Sequence, residues 1–153
     1  MAMSRRMIGC LLLLPIASAA LAQAPRDIQR EERNRRLVVE FYEAVFARHD
    51  LSAADRYLSE DYIQHNPRVP DGRAPFVAAF SRLFAANPAM RSRILRSATD
   101  GDLVFLHVHS QSSPEARGRV IAEIFRVSGD RIVEHWDVMQ DIPETAANNS
   151  GML

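Results

Sequence analysis

Apolar and polar positions change period halfway along the chain. From Glu31 onward they follow a helical repeat: Leu37, Phe41, Ala44 and Val45 make one stripe, widened by Val38 and Tyr42. Glu31/Arg35 and Glu32/Arg36 stand four residues apart, in the order that supports a helix. This pattern predicts a helix that ends near His49-Asp50. Ser52 and Asp55 have the spacing of a capping box and predict a short second helix through Tyr57 and Leu58. Residues 61–67, Asp-Tyr-Ile-Gln-His-Asn-Pro, read as a short extended piece stopped by proline. After the Asp71-Gly72 turn, Pro75 suits the first turn of a third helix. Phe76, Phe80, Leu83 and Phe84 form its apolar face, and Asn87-Pro88 ends it.

Beyond Arg91 the repeat shortens to two. Strands are expected over Arg91–Thr99, Leu103–Gln111, Arg119–Val127 and Arg131–Asp141, with tight turns at Asp100-Gly101 and Gly129-Asp130 and a loop over 112–118. Helices followed by antiparallel strands argue for an α+β fold: a cone-shaped, curved antiparallel sheet packed against three N-terminal helices. Such a sheet and its helices enclose a cavity, a natural place for a ligand. The domain is assigned to residues 23–145, and the small, polar residues 146–153 read as a flexible tail.

The first 22 residues are of another kind. Arg5 and Arg6 precede an apolar run from Ile8 to Ile16, and Ala20-Leu21-Ala22 offers small residues at the spacing a signal peptidase reads. The run falls short of the ~20 residues a membrane span needs. Residues 1–22 are therefore expected to be a cleaved signal peptide, giving a periplasmic or secreted protein with no membrane attachment after cleavage. Cys10 is the only cysteine and would leave with the signal, so the mature chain would carry no disulfide, thiol nucleophile or thiolate ligand.

Charge narrows the partners further. Nineteen basic residues balance nineteen acidic ones, and no clustered basic face suggests nucleic acid. Every basic side chain is arginine, which excludes Schiff-base chemistry on a lysine.

Several side chains are candidates for proton chemistry. His107 and His109 lie two apart on one strand, on one face and about 7 Å from each other. They are either pocket lining or structural histidines satisfied by neighbours. On the last strand His135 and Asp137 share one face, while Glu134, Trp136 and Val138 share the other. Glu123 sits mid-strand among apolar residues. A buried carboxyl there needs a partner, and burial favours the neutral form that acid/base work uses. Register matters: a plain two-residue turn at Gly129-Asp130 pairs Glu123 with Trp136 and sends Glu123 and Asp137 to opposite faces. A bulge brings them to the same face. Tyr62 and His65 belong where the chain passes the cavity mouth. One His-x-His pair without cysteine is a weak metal signal, and neither a nucleophile elbow nor a glycine-rich phosphate loop is present. The reading calls for no metal and no cofactor.

Taken in order, residues 61–67, Asp71-Gly72, His107-Val108-His109, 124–127 (Ile-Phe-Arg-Val) and 131–138 (Arg-Ile-Val-Glu-His-Trp-Asp-Val) resemble the SnoaL-like family, of the superfamily named for nuclear transport factor 2. The resemblance runs from about Arg33 to Pro143. It implies the cone-shaped α+β fold, often as a homodimer formed through the sheet, and a cofactor-independent cyclase chemistry of the aldol type. In those cyclases a last-strand aspartate acts as acid/base with a histidine one strand earlier. Asp137 matches the aspartate; Glu123 stands where that histidine would be, a departure from the pattern. In the similar limonene epoxide hydrolases an Arg-x-Asp would correspond to His107-x-His109, which argues against epoxide hydrolysis.

Two functions follow. The first is a cofactor-independent acid/base enzyme of the aldol or isomerase type acting on a small organic molecule. Asp137, Glu123 and His109 are its catalytic candidates, and Tyr62, His65, His107, His135 and Trp136 its substrate-binding ones. The second is a non-catalytic exported binding module with the same pocket. Export makes one direct prediction: intact-mass analysis of the protein recovered from its native compartment should find Gln23 at the N-terminus, and a retained residue 1 would disprove the signal assignment.

Overall fold

Two buried polar side chains, Glu31 and Asn34, tie the N-terminal part of the first helix to the turn at Gly101. In the computed structural model, which describes residues 25–153, helix α1 spans Ile28–Tyr42. The expected signal segment 1–22 lies outside the described residues. Asp27 caps α1 by accepting the Arg30 backbone N–H at 3.0 Å. Glu31 is buried and pairs with Arg26, not with Arg35, and it also accepts the Gly101 N–H at 3.3 Å. The Arg26 hydrogen bond holds the Glu31 carboxyl below the usual carboxylate range. Glu32 pairs with Arg35 at i,i+3. The expected i,i+4 pairs thus give way to one surface pair and one clamp from helix to sheet, which Asn34 extends by donating to Gly101 O at 3.1 Å.

Past Tyr42 the helix widens into a π-helical turn, Glu43–Ala47, closed by Arg48 N–H to Glu43 O at 3.1 Å. His49 ends it with φ of 59°. Helix α2 is Ala53–Tyr57. The expected capping box does not form: the Ser52 hydroxyl donates to Asp50 at 2.6 Å and leaves the helix N-terminus uncapped by side chains. Strand β1 follows, Leu58–Gln64, and helix α3 covers Arg73–Ala86.

The remaining strands fall close to their expected ranges: β2 Arg91–Asp100, β3 Leu103–Gln111, β4 Arg119–Ser128 and β5 Arg131–Asp141. They form a five-stranded sheet in the order β1-β5-β4-β3-β2, in which β1 runs parallel to β5 and the other pairs are antiparallel. Of the extended piece foreseen at residues 61–67, only 61–64 are strand, the end of an edge strand that begins at Leu58; residues 65–67 lie beyond it. Val104, Leu106, Val108, Phe125, Val127 and Ile132 turn inward against Val38, Phe41 and Val45. Phe41 sits at the middle, with the rings of Tyr57, Phe76 and Phe125 all at 6.0–6.1 Å. Residues 142–153 contain no helix or strand.

A bulge settles the β4–β5 register. Ser128 pairs with Arg131 and Val127 with Ile132, as a two-residue turn requires; then Arg126 pairs with Glu134, leaving Val133 as the extra residue. From there on Glu123 faces Asp137 directly across the ladder.

Two glycines with positive φ give a paired test. A Cβ at Gly118 (φ 75°) would lie 2.1 Å from the Ser110 carbonyl oxygen, whereas Gly129 (φ 58°) has nothing within 4 Å. Gly129→Ala should cost about 1 kcal/mol, the left-handed backbone penalty alone. Gly118→Ala should cost more than ~2 kcal/mol, because backbone must move as well. Urea midpoints at constant slope check both.

Candidate functional site

A cavity of about 520 Å³ lies between the inner face of the sheet and the helices. Its walls are divided by chemistry. Phe46, Phe76, Phe80, Leu83 and Ile121 line an apolar side, and Glu123, His135, Asp137, Tyr62, Gln64 and Asn66 gather at a polar pole. Tyr42, the last residue of α1, and Phe46, within the π-helical turn, stand four residues apart on one face, rings 4.5 Å apart, and both line the cavity. Phe80 and Leu83, read as a core face, are partly open to solvent because they face this space.

The polar pole is wired through the end of β1. Glu123, buried, accepts the Tyr42 hydroxyl at 2.8 Å on one oxygen and meets His135 Nε2 at 2.6 Å with the other. His135 Nδ1 lies 2.7 Å from Gln64 Oε1. The same Oε1 accepts the Asn66 backbone N–H at 2.9 Å, which fixes the orientation of the amide. His135 Nδ1 must therefore carry a proton. Nε2 and Glu123 then share the next one, as imidazolium with carboxylate or as imidazole with carboxylic acid. Asn66 mirrors this arrangement. Its Oδ1 accepts the Arg68 N–H at 2.9 Å, so its Nδ2 faces Asp137 Oδ2 at 2.6 Å. Asp137 Oδ1 has no protein hydrogen bond among the described residues.

Two phenols complete the pole. Burial pushes both the Tyr42 and the Tyr62 hydroxyl well above the usual phenol range, and the nearby Glu123 charge adds to it. Both stay protonated and act as donors. Tyr42 spends its proton on Glu123. Tyr62 accepts only a long contact from Gln64 Nε2, 3.5 Å, and its own proton has no acceptor among the described residues.

Not every residue singled out from the sequence reaches this place. Glu123, His135, Asp137 and Tyr62 line the cavity. His107, His109, His65 and Trp136 do not. His109 turns to the other face and meets the Arg117 carbonyl at 2.8 Å, tying down the β3–β4 loop; His107 accepts from Arg96 at 2.8 Å. The ring of His65 stacks on Trp136, 4.6 Å apart and 2° from parallel, while its Nε2 meets Glu134 at 2.8 Å. That pair lies on the outer face, where Arg126 also holds Glu134 at 2.8 Å. The His65 hydrogen bond, helped by Arg126, keeps the Glu134 carboxyl below the usual range. The alternation of β5 had already placed Trp136 opposite Asp137. Gln64, Asn66 and Tyr42 were not singled out. The signal was period two: Tyr62, Gln64 and Asn66 all line the cavity, and His65 between them points away.

Glu123, His135 and Asp137 also offer three donor atoms within 4.8 Å of one another, a set able to approach a cation. Both Glu123 oxygens and both His135 nitrogens already have protein partners, so coordination would have to break the hydrogen bond between these two residues.

Nitrogen-15 NMR of the His135 ring should show the proton on Nδ1 that the Gln64 acceptor requires. Gln64→Leu removes its acceptor and should shift the ring toward the Nε2–H form. An unchanged tautomer in that variant would show that Gln64 does not set it.

A family model described as the SnoaL-like domain matches residues 38–135, which include Tyr42, Tyr62, Gln64, Asn66, Glu123 and His135 of the polar pole and stop two residues short of Asp137. Among solved structures, an NTF2-like protein of unknown function from Mesorhizobium loti is 23% identical with a TM-score of 0.62, covering 76% of this chain and 97% of its own. A candidate polyketide cyclase from Acidithiobacillus ferrooxidans is 20% identical with a TM-score of 0.60, covering 70% and 87%. IdmH from Streptomyces antibioticus, also a candidate polyketide cyclase, is 21% identical with a TM-score of 0.57, covering 69% and 91%. No curated protein matches the chain. At these identities the solved structures establish the fold. With the family model covering most of the chain, the protein belongs to the SnoaL-like domain family.

Proposed function

We propose that the cavity binds a small organic carbonyl compound and that the protein acts on it as a cofactor-independent acid/base enzyme of the enolisation type, as in aldol condensation or isomerisation. One observation carries this reading: a carboxylate oxygen with no protein hydrogen bond, Asp137 Oδ1, stands beside a buried pair that shares a proton, Glu123 and His135. Asp137 removes a proton from the carbon α to the carbonyl. The oxygen that gains charge accepts the Tyr62 O–H, which is held protonated by burial. His135 delivers to the product the proton that Nε2 shares with Glu123, keeping its Nδ1 proton hydrogen-bonded to Gln64, and Asp137 then hands the abstracted proton to the Glu123–His135 pair, which restores the starting state. Each step moves only protons and the electron pair of a C–H or C–C bond, so the chemistry calls for no cofactor.

The alternative is a non-catalytic exported binding module. Its support is that Glu123 is fully hydrogen-bonded by Tyr42 and His135, as a purely structural carboxylate would be. Export to the periplasm or medium and pairing of two copies through the outer sheet face, where Ile63 and Val138 are exposed, belong to this proposal as well.

Deuterium exchange at the α-carbon of cyclic 1,3-diketones and aryl ketones, followed by proton NMR, tests it. The protein should accelerate exchange, and Asp137→Asn should reduce the acceleration at least ~100-fold, with Tyr62→Phe lowering it less. Binding without accelerated exchange would select the binding module.

A further inference from the structure

The strand register sets the cavity's polarity from end to end. Inward positions of β4 and β5 run in pairs: Phe125 with His135, Glu123 with Asp137, Ile121 with Met139, and Arg119 with Asp141. Arg119 therefore stands four residues, about 13 Å, along the strand from Glu123. Between them the lining is apolar: Ile121 and Met139 from the sheet, and Phe80 and Leu83 from α3.

The two ends carry opposite charge. Glu123 and Asp137 lie at the inner end, where a second anion would be repelled without screening by water. Arg68 and Arg119 also line the cavity, Arg68 exposed and the Arg119 side chain 42% exposed, so both stand where the cavity opens to solvent. Arg119 is only loosely engaged: its Nε is 3.3 Å from Asp141, which is itself 82% exposed. The Arg68 guanidinium has no acceptor among the described residues. Two cations thus stand against one carboxylate at the mouth.

We propose that the occupant is an amphipathic carboxylic acid: a rigid apolar body with its carboxylate on Arg68 and Arg119 and its neutral, reacting end about 13 Å deeper. This selectivity rests on the pocket reading above and extends it to a substrate class. It also orients the ligand, because only one direction of entry keeps the ligand's charge away from Glu123 and Asp137.

Pyrene-1-butyric acid and its primary amide, matched in size, test the inference by pyrene fluorescence titration of the full chain at low salt. The acid should bind about five-fold more tightly than the amide, the scale of a partly exposed ion pair, and added salt should erode the difference. Arg68→Gln and Arg119→Gln should each weaken the acid and leave the amide unchanged. Leu83→Trp, which fills the middle of the cavity from a half-exposed position, should weaken both. Equal binding of acid and amide, both sensitive to Leu83→Trp, would overturn the carboxylate inference while leaving the pocket reading intact. Binding insensitive to Leu83→Trp, or no binding of either probe, would overturn both.

Discussion

Between Glu123 and the Gly129-Asp130 turn, β5 carries one residue more than β4, and the side-chain alternation of everything beyond depends on it. Side chains on a strand alternate with a period of two, so one inserted residue moves every later position to the opposite face. With Val133 as that residue, His135 and Asp137 turn inward beside Glu123, while Glu134 and Trp136 turn out. Without it the cavity would be lined on β5 by Glu134, Trp136 and Val138, and Asp137 would face the other side of the sheet from Glu123. The bulge therefore fixes the chemical content of the cavity as well as the curvature of its wall.

Bringing two carboxyl groups inward carries a desolvation cost, which Tyr42, His135 and Asn66 offset. An unpaired carboxylate in a protein interior costs several kcal/mol. Glu123 avoids that with two partners, Tyr42 and His135, and Asp137 with one, Asn66. The parallel pairing of β1 with β5 places Gln64 beside His135, and backbone N–H groups then orient the amides of Gln64 and Asn66. Because the main chain orients these amides, Gln64 presents an acceptor to His135 and Asn66 a donor to Asp137. The outcome is asymmetric: Glu123 is saturated and Asp137 is not, so two carboxyl groups a strand apart are suited to different tasks.

Much of this was legible in the sequence, for physical reasons that differ between parts. Helical and two-residue periodicities located α1, α3 and the four long strands, because burial on one face writes a repeat into the chain. Asp137 and Glu123 were visible because a carboxyl group in an apolar strand needs an explanation. The bulge was not decidable, since Arg131–Asp141 reads as a good strand in either register. Histidine content misled: His107, His109 and His65 drew attention as titratable groups, yet they tie a loop, an arginine and the outer surface. Amides carry no such flag. Gln64 and Asn66 look like ordinary polar residues until the pairing of β1 with β5 shows what they face. Pairs such as Glu31/Arg35 failed for another reason: Glu31 is buried against the β2–β3 turn, where the Gly101 amide and Arg26 satisfy it better than a surface neighbour.

The other irregularity of the backbone lies opposite the bulge. The π-helical turn Glu43–Ala47 inserts a residue into the first helix, as Val133 does into the last strand. Tyr42 closes the regular part of the helix, and Phe46 lies inside the wider turn. The wider turn rotates the positions that follow, so that Phe46 turns toward α3, its ring 5.0 Å from Phe80, while Tyr42 keeps its hydroxyl on Glu123. Each insertion interrupts its own hydrogen-bonding ladder. Together they meet at one hydrogen bond, Tyr42 to Glu123, which joins the altered helix to the altered strand pair. That both departures from regular geometry converge on the same carboxyl group is the physical reason to regard this cavity as a built site, and not as a gap left by imperfect packing.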